Sequence, residues 1–396
     1  MISTWPVAGQ VRGKAVKSFI HLDRGDTPRH AHRDLEGRKE DEMGRAGFAG
    51  RSTMLYRAHD PTTFRAEGPL RVTDWRTSRL ATDDQTDPAG RPRRVLFNDD
   101  CAVFVSRRSE AMPFLYRNVD GDEVYFVHRG TGTFRTEFGP VPYEPGDYVV
   151  LPKSTTYQVV PDSTDNHFLL TETYGELQLA DFGPQGRRAP FDPTILFVPE
   201  PDPVVDHQHE EVEVRIRYQG QDSSIFYPYH PFDVHGWKGD LFPFKLNIRD
   251  WNVVMSESLH LPPSMHAFLE APGVMMVHFL PRPAEMVDGV ERVPWYHRNV
   301  DYDEVTFTHG GTFLGFPLRP GDLAHSPQGL HHGAPEMARE HARATHDEYD
   351  RVDWEIISVD TVRPLRVDAD SLAAIQPRTE KPEPDKGGTE KGGADA

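Results

Sequence analysis

Short runs of β-branched and aromatic residues, separated by glycine and proline, recur along most of the chain. Such runs occupy residues 94–97, 123–127 and 147–151, and 32 glycines and 35 prolines provide frequent turn signals. Short runs between turn signals are typical of antiparallel strands in a β-sandwich or barrel. The pattern predicts a mainly β fold with few short helices, which we place at residues 40–45 and 336–349.

One segment of the chain is an approximate copy of another. Residues 116–124 read YRNVDGDEV and residues 297–305 read HRNVDYDEV, at an offset of 181 positions. A second match, PGD at 145–147 and at 320–322, has an offset of 175, so the intervening hairpin is six residues shorter in the second copy. The two copies predict a duplicated β-barrel.

The copies differ at positions that bear on chemistry. His297 aligns with Tyr116 and His332 with Tyr157, so the second copy has imidazoles where the first has phenols. Each copy also has a carboxylate, which in the second copy is Glu304. Two imidazoles and one carboxylate on a rigid sheet make a facial triad that suits Fe(II) and leaves positions open for substrate and O2. The second copy is therefore predicted to bind a metal and the first to be metal-free.

Glu304 also has a structural interpretation, because Glu123 persists in the first copy without histidine neighbours. Asp303 is the alternative ligand, since a one-residue slip would exchange the two faces of the strand. Fourteen of the 20 histidines lie in residues 207–346, and most of them must have ordinary roles. His207 and His209 lie in a charged run and are interpreted as part of a solvated loop or edge.

Length, charge and cysteine content narrow the class of protein. A chain of 396 residues is long enough for two lobes, and 44 basic against 62 acidic residues give a net charge of -18, which argues against nucleic acid and anionic membranes as partners. Cys101 is the only cysteine, so a reducing, cytoplasmic setting is expected. No secretory signal or membrane span is predicted.

The repeat and the composition suggest a division of the chain. We predict an N-terminal β region with a metal-free barrel at residues 1–200 and a metal-binding barrel at 201–375. Residues 376–396 contain almost no apolar side chains, so a disordered tail is predicted there.

The second copy resembles a cupin. The motif carries His297, then Glu304 before Gly311, and later Gly329 and His332. Within the cupins, most of the chain is similar to the homogentisate 1,2-dioxygenase family. The matching segments include MGRAGF at 43–48, FDV at 232–234, GW at 236–237, PFK at 243–245, HLPPS at 260–264, YHRN at 296–299, HS at 325–326 and HG at 332–333.

The resemblance implies residue roles and a fold. His297, Glu304 and His332 would be the ligands of Fe(II), and His260 the catalytic acid and base. Tyr296, His325 and Phe313 are placed along the substrate pocket. The implied fold is a two-barrel cupin, built from double-stranded β-helices, with an N-terminal β extension. The family forms trimers that commonly pair as hexamers, so a homo-oligomer is expected.

The implied activity is the opening of an aromatic ring with O2, which converts homogentisate to maleylacetoacetate in tyrosine and phenylalanine breakdown. The spin and orientation obstacles to a reaction between O2 and a closed-shell ring are removed by a metal that binds both. A neutral His260 can accept a phenolic proton, because imidazole titrates near neutral pH.

The chain departs from the family at the substrate pocket. The family places a tyrosine nine residues after the ligand glutamate, where this chain has Phe313. An arginine usually precedes that tyrosine, and this chain has Gly310 in its place. A phenyl ring cannot donate a hydrogen bond, and an unpaired substrate carboxylate would weaken recognition by about 1 to 3 kcal/mol. A differently substituted hydroquinone is therefore an alternative substrate. Two hypotheses of different classes also stay open: a cupin isomerase or hydrolase with another metal, and a non-catalytic cupin.

Overall fold

A computed structural model of the chain describes residues 22–30, 32–46, 49–180, 191–202, 211–261 and 266–374. The predicted tail at 376–396 and the pair His207 and His209 lie outside these residues. Twenty-seven strands occur in the described residues, with these bounds: β1 Lys39–Ala46, β2 Ala49–Arg57, β3 Thr73–Arg76, β4 Arg93–Phe97, β5 Cys101–Ser106, β6 Leu115–Asn118, β7 Asp122–Arg129, β8 Gly132–Thr136, β9 Gly139–Tyr143, β10 Asp147–Leu151, β11 Thr156–Pro161, β12 His167–Thr173, β13 Gln178–Leu179, β14 Val212–Tyr218, β15 Gln221–Tyr227, β16 Phe244–Asn247, β17 Leu269–Ala271, β18 Val274–Phe279, β19 Arg282–Pro283, β20 Tyr296–Asn299, β21 Asp303–Gly310, β22 Thr312–Phe313, β23 Phe316–Pro317, β24 Asp322–Ser326, β25 Arg351–Val352, β26 Glu355–Thr361 and β27 Arg366–Val367.

Helices are few in the described residues, as the sequence pattern predicts. The α-helices are α1, Asp83–Thr86, and α2, Glu336–Ala344, and short 3-10 helices occur at Thr77–Arg79, Pro193–Ile195, Ile248–Asp250 and Ala369–Ala374. The predicted helix at 336–349 is confirmed over its first nine residues. The predicted helix at 40–45 is wrong, because those residues form β1 and pair with β2 on one side and β20 on the other. None of the helices in the described residues has the length and apolar character needed to cross a membrane.

The first barrel is built from two sheets. The strand order is β16-β10-β7-β12-β5-β4-β27 in one and β15-β14-β6-β11-β8-β9 in the other. Their inner faces carry aromatic and β-branched side chains, including Phe134, Tyr143 and Phe168, whose rings contact one another. This packing supplies much of the apolar burial that stabilises the barrel.

The second barrel has one large sheet, in the order β13-β17-β18-β26-β21-β24-β3, and a smaller one in the order β2-β1-β20. The main chains of His297 and His332 exchange two hydrogen bonds, of 3.0 and 2.9 Å, which join β20 to the segment after β24. The two barrels confirm the mainly β, duplicated cupin architecture.

Each barrel receives a hairpin from a distant part of the chain. The hairpin β14-β15 packs on the first barrel through parallel pairing of β14 with β6. The hairpin β1-β2 packs on the second barrel in the same way, through parallel pairing of β1 with β20. The described strands before residue 77 therefore join the second barrel, and those at 212–247 join the first. The boundary between the two repeats at residue 200 stays a prediction. Strands on each side of this boundary also join the barrel of the other side.

The barrels meet at equivalent positions of their large sheets. Phe126 contacts Phe307, and the Nδ1 atoms of His128 and His309 lie 3.0 Å apart. Both pairs of residues are separated by the repeat offset of 181, so the contact lies on an approximate two-fold axis between the copies. A continuous apolar core joins the two large sheets across this axis.

Candidate metal centre

Three side chains of the second barrel converge within the described residues. Glu304 lies on β21, His297 on β20, and His332 on the segment that follows β24. The Nε2 atoms of His297 and His332 lie 3.3 and 3.2 Å from Oε2 of Glu304, and the two ring centroids are 4.0 Å apart. One ligand atom from each residue lies within 4.8 Å of the others, and all three residues are buried. We call this group the triad.

The outer nitrogen of each imidazole is bound to the main chain. Nδ1 of His297 donates to the carbonyl of Trp295 at 3.4 Å, and Nδ1 of His332 donates to the carbonyl of Leu330 at 2.9 Å. With the proton on Nδ1, each Nε2 presents a lone pair to the centre of the triad. Two lone pairs and a carboxylate oxygen aimed at one point repel one another unless a cation lies between them. The donor set therefore fits a metal ion with three protein ligands.

Burial and the neighbouring charges act in opposite directions on the triad. Burial raises the pKa of Glu304, but its close contacts with the two histidines outweigh burial and hold the pKa below its ordinary value. Burial, assisted by His332, lowers the pKa of His297. The arrangement keeps the carboxylate charged and the imidazole neutral, which are the forms that bind metals.

Two further polar residues adjoin the glutamate. The side-chain amide of Asn299 donates to Oε2 of Glu304 at 3.3 Å. Asp360 lies directly across from Glu304 on β26, and burial together with the nearby Glu304 raises the pKa of Asp360 well above its usual range. Ser358 donates to Asp360 at 3.0 Å. Asp360 was not predicted from the sequence, although the repeat contains a signal for it: Glu172 lies across from Glu123 in the first barrel.

Asp303 and His325 occupy the opposite face of β21 and β24. Oδ2 of Asp303 lies 2.8 Å from Nε2 of His325 and accepts from the main-chain N–H of Leu365 at the same distance. His325 lies across from Val305, whose side chain alternates with that of Glu304. Glu304, and not the alternative Asp303, therefore lies with the two histidines. The predicted substrate contact of His325 is not supported by this placement.

His260 belongs to a separate buried network. Its Nδ1 lies 3.0 Å from Oε1 of Glu285, which also forms an ion pair of 3.0 Å with Arg282. Burial raises the pKa of Glu285, but the hydrogen bond with His260 and the charge of Arg282 bring it down to about 2. Burial lowers the pKa of His260 to about 4. The ring is therefore neutral at neutral pH. Its Nδ1 lies within reach of the Glu285 carboxylate, which can only accept, and of the Arg282 guanidinium at 3.2 Å, which can only donate.

The hairpin β1-β2 brings two more carboxylates to this region. Glu40 binds Nδ1 of His32 at 2.6 Å, and Glu42 accepts from the indole N–H of Trp295 at 2.7 Å. The rings of His32 and Trp295 each lie 5.5 Å from the ring of His260. Glu42 lies beside His297 in the parallel pairing, so these residues share a face with the triad. Glu40 and Glu42 were not predicted as part of this region, because residues 40–45 were assigned to a helix.

Tyr296 and Phe313 have other partners in the structure. The hydroxyl of Tyr296 donates to Asp60 at 3.0 Å, and strand alternation directs Tyr296 away from its neighbour His297. Phe313 is buried in an apolar cluster and its ring lies 4.9 Å from that of Trp354. The predicted substrate contact of Tyr296 is not supported by this placement, and that of Phe313 stays a prediction.

Comparisons with known proteins give a consistent result. Residues 92–248 match the model of the homogentisate 1,2-dioxygenase N-terminal family. A protein of Saccharolobus solfataricus that is named provisionally as a dioxygenase is 27% identical over 346 residues, which cover 81% of this chain and 88% of that protein. The homogentisate 1,2-dioxygenase of Bradyrhizobium diazoefficiens is 25% identical over 57% of this chain. The chain spans about half of the length of that enzyme, 52%.

Among solved structures, a cupin 2 conserved barrel domain protein from Leptotrichia buccalis covers 77% of this chain and all of its own, with 10% identity and a TM-score of 0.36. A score of that size carries no weight for the fold, which follows here from the strand pairing of the two barrels.

Proposed function

We propose an iron-dependent, ring-cleaving activity for this chain, which belongs to the homogentisate 1,2-dioxygenase family of the cupin superfamily and is a dioxygenase of that family. The observation that carries the proposal is the triad, in which two Nε2 atoms and Oε2 of Glu304 converge while both Nδ1 atoms donate to main-chain carbonyls. Sequence relatives named as dioxygenases support the class of reaction.

Iron(II) is the metal that suits this donor set best in an oxygenase. Two imidazoles and one carboxylate would occupy one face of the ion, and the opposite positions are left for exchangeable ligands. Bound iron would supply a centre that binds both the substrate and O2 and lets electron density pass between them. Asn299, which donates to Glu304, would keep the carboxylate oriented.

His260 is proposed as the group that receives the phenolic proton of the substrate. Its pKa of about 4, set by burial, keeps the ring neutral at neutral pH, so the ring is ready to accept a proton. Glu285, 3.0 Å from Nδ1, would stabilise the imidazolium that results. Because Arg282 also binds Glu285, the carboxylate stays charged and in place.

The proposed substrate is a 2,5-dihydroxyphenyl compound, a substituted hydroquinone. Homogentisate, opened to maleylacetoacetate, is the first candidate because of the family. A hydroquinone with another side chain is the alternative, because Phe313 lies in an apolar cluster and offers no hydrogen bond to a carboxylate. We also propose a homo-oligomer, a trimer or hexamer, and a cytoplasmic location.

The proposal is tested by metal analysis and O2 uptake. Protein purified without air is assayed for iron, zinc and manganese, and then supplied with homogentisate, gentisate and other hydroquinones in an oxygen electrode. We expect one iron per chain and O2 uptake with at least one of these compounds, accompanied by loss of the aromatic absorbance. Zinc-loaded protein without O2 uptake would favour a hydrolase or isomerase. Iron-loaded protein that consumes no O2 with any hydroquinone would contradict the proposal.

A further inference from the structure

The first barrel has a cavity at the position that corresponds to the triad. Its volume is about 330 Å3, at the lower end of the range for small-molecule pockets, so it suits a compound with a single ring. Tyr116, Glu123 and Tyr157, which align with the three residues of the triad, all line it. The cavity therefore occupies the place of the metal site without its imidazoles.

The deep end of the cavity is polar and ordered by hydrogen bonds. The hydroxyls of Tyr125 and Tyr157 lie 2.9 Å apart, and that of Tyr157 donates to Oε2 of Glu123 at 2.9 Å. Burial raises the pKa of Glu123 to about 8, so the carboxyl retains its proton at neutral pH and can donate to a ligand. The hydroxyl of Tyr116 makes no hydrogen bond with any other described residue. These groups can bind a hydroxyl from both sides.

The walls of the cavity are aromatic. Phe104 and Phe114 line it together with the tyrosines, and two arginines lie over their rings. The guanidinium of Arg215 is 3.7 Å from the centre of Phe114, and that of Arg217 is 5.7 Å from the centre of Phe104. Aromatic rings beside hydrogen-bonded hydroxyls favour a ligand that carries both an aromatic ring and polar groups.

Cationic groups line the cavity as well. Arg215 and Arg217 enter from the hairpin β14-β15, beside Tyr116 and Asn118 of β6. Arg217 is paired with Glu172 at 3.1 Å, whereas the partner of Arg215 is the partly exposed Glu213. Arg108 is 2% exposed, and among the described residues it donates to two main-chain carbonyls, of Pro88 and Gly90, but forms no ion pair with a carboxylate.

A buried guanidinium without a carboxylate partner is costly unless an anion approaches it. Arg108 therefore favours a ligand with a negative charge, and the bidentate geometry of guanidinium suits a carboxylate.

We propose that the first barrel binds a small phenolic carboxylic acid. The ring lies between the aromatic walls, the hydroxyl reaches Glu123 and Tyr116, and the carboxylate lies against Arg108 and Arg215. This site is separate from the triad and does not depend on the function proposed for it. It makes the first barrel a binding module for the class of compound that the second barrel is proposed to transform.

The test uses 4-hydroxyphenylacetate as the probe and isothermal titration calorimetry on the full chain without air. In the variant His332→Ala, whose metal site is disabled, we expect one probe to bind per chain. Tyr116→Phe in the same background should weaken this binding about tenfold, because one hydrogen bond is lost. Tyr143→Phe is the matched control, since Tyr143 belongs to the same barrel but donates to Asn166 and does not line the cavity.

Two further measurements define the ligand class and the location. Phenylacetate, without the hydroxyl, and 4-methylphenol, without the carboxylate, should each bind at least about tenfold more weakly than the probe. Leu170→Trp fills the cavity and should abolish binding; if it fails to fold, Glu123→Gln and Tyr116→Phe decide. No binding to His332→Ala, or equal affinity in Tyr116→Phe and Tyr143→Phe, would overturn the proposal.

Discussion

The two barrels place a buried glutamate at the same position and give it opposite properties. In the first barrel Glu123 accepts from the hydroxyl of Tyr157, and burial raises its pKa to about 8. In the second barrel Glu304 lies between two imidazoles, which outweigh burial and lower its pKa. The partners of a duplicated carboxylate, and not the carboxylate itself, therefore decide whether it stays neutral or is ready to bind a metal.

The hairpins that pack on the two barrels, β14-β15 and β1-β2, also differ in the side chains that they contribute. The hairpin on the first barrel brings Arg215 and Arg217 beside β6, whereas the hairpin on the second brings Glu42 beside His297. The first hairpin therefore adds guanidinium groups beside Tyr116 and Asn118, and the second adds a carboxylate beside a proposed cation site.

The largest effect is expected from removing an imidazole of the triad. Mutation of a residue that hydrogen-bonds to a metal ligand typically lowers the metal affinity roughly 10- to 100-fold. His332→Ala removes a ligand itself, so its metal affinity should fall by more than this, and turnover should be lost. Tyr157→Phe, the aligned change in the first barrel, should leave the metal content unchanged. Metal analysis of both variants after purification without air checks this. Full iron occupancy in His332→Ala would show that the barrels do not differ in the way proposed.

The next effect is on chemistry without loss of metal. His260→Ala should retain iron, because His260 lies outside the triad, but lose about 10^2- to 10^4-fold in kcat, since the proton acceptor is missing. O2 uptake and metal content are measured together. In the wild-type protein, kcat should rise as the pH increases through the His260 pKa of about 4. Undiminished kcat in the variant would return His260 to a structural role.

The histidines between the barrels should make the fold sensitive to acid. Burial lowers the pKa of His128 to about 3 and that of His309 to about 4, whereas both ionise near 6.5 once unfolded. The unfolded state therefore binds more protons, and the free energy of unfolding should fall as pH drops from about 6.5 towards 4. Each histidine contributes a slope of up to about 1.4 kcal/mol per pH unit. Urea unfolding of His128→Phe should show a smaller slope than wild type; equal slopes would contradict this.

Glu123 should lower the free energy of unfolding as the pH rises. Its folded pKa of about 8 lies above the ordinary 4.5, so its contribution to stability is complete below pH 4.5 and is lost as pH rises through 8. Glu123→Gln keeps an acceptor for Tyr157 and removes the titration. Wild type should lose on the order of 1 kcal/mol per pH unit over this range relative to the variant. Parallel curves of unfolding free energy against pH would show that Glu123 is charged in the folded state.

The smallest effect is expected at Phe313. Phe313→Tyr restores the hydroxyl that the family has, and we expect KM for homogentisate to fall about fivefold, the worth of about one hydrogen bond. Because Trp354 packs on this ring, the melting temperature of the variant provides the control on folding. A lower Tm with an unchanged KM would place residue 313 in the apolar cluster alone and favour a substrate without the carboxylate.

The β class, the duplication and the two histidines of the triad could be predicted from the amino-acid sequence alone. Strand alternation and turn residues are local signals, and the comparison of two copies identified His297 and His332 as replacements for phenols. The choice between Glu304 and Asp303 as the third ligand remained open. Strand alternation shows that the two side chains lie on opposite faces but does not show which face is inside.

Which segments contact one another follows from the tertiary structure. Strand β1 pairs with β20 across more than two hundred positions, and Glu285 contacts His260 from 25 positions away, so no local period marks either contact. His325 contacts Asp303 on the face of the sheet opposite to the triad, and this contact between two strands is likewise not marked by a local pattern. Pairing of distant strands depends on the burial of whole faces, and that is a property of the assembled barrels and not of any one segment.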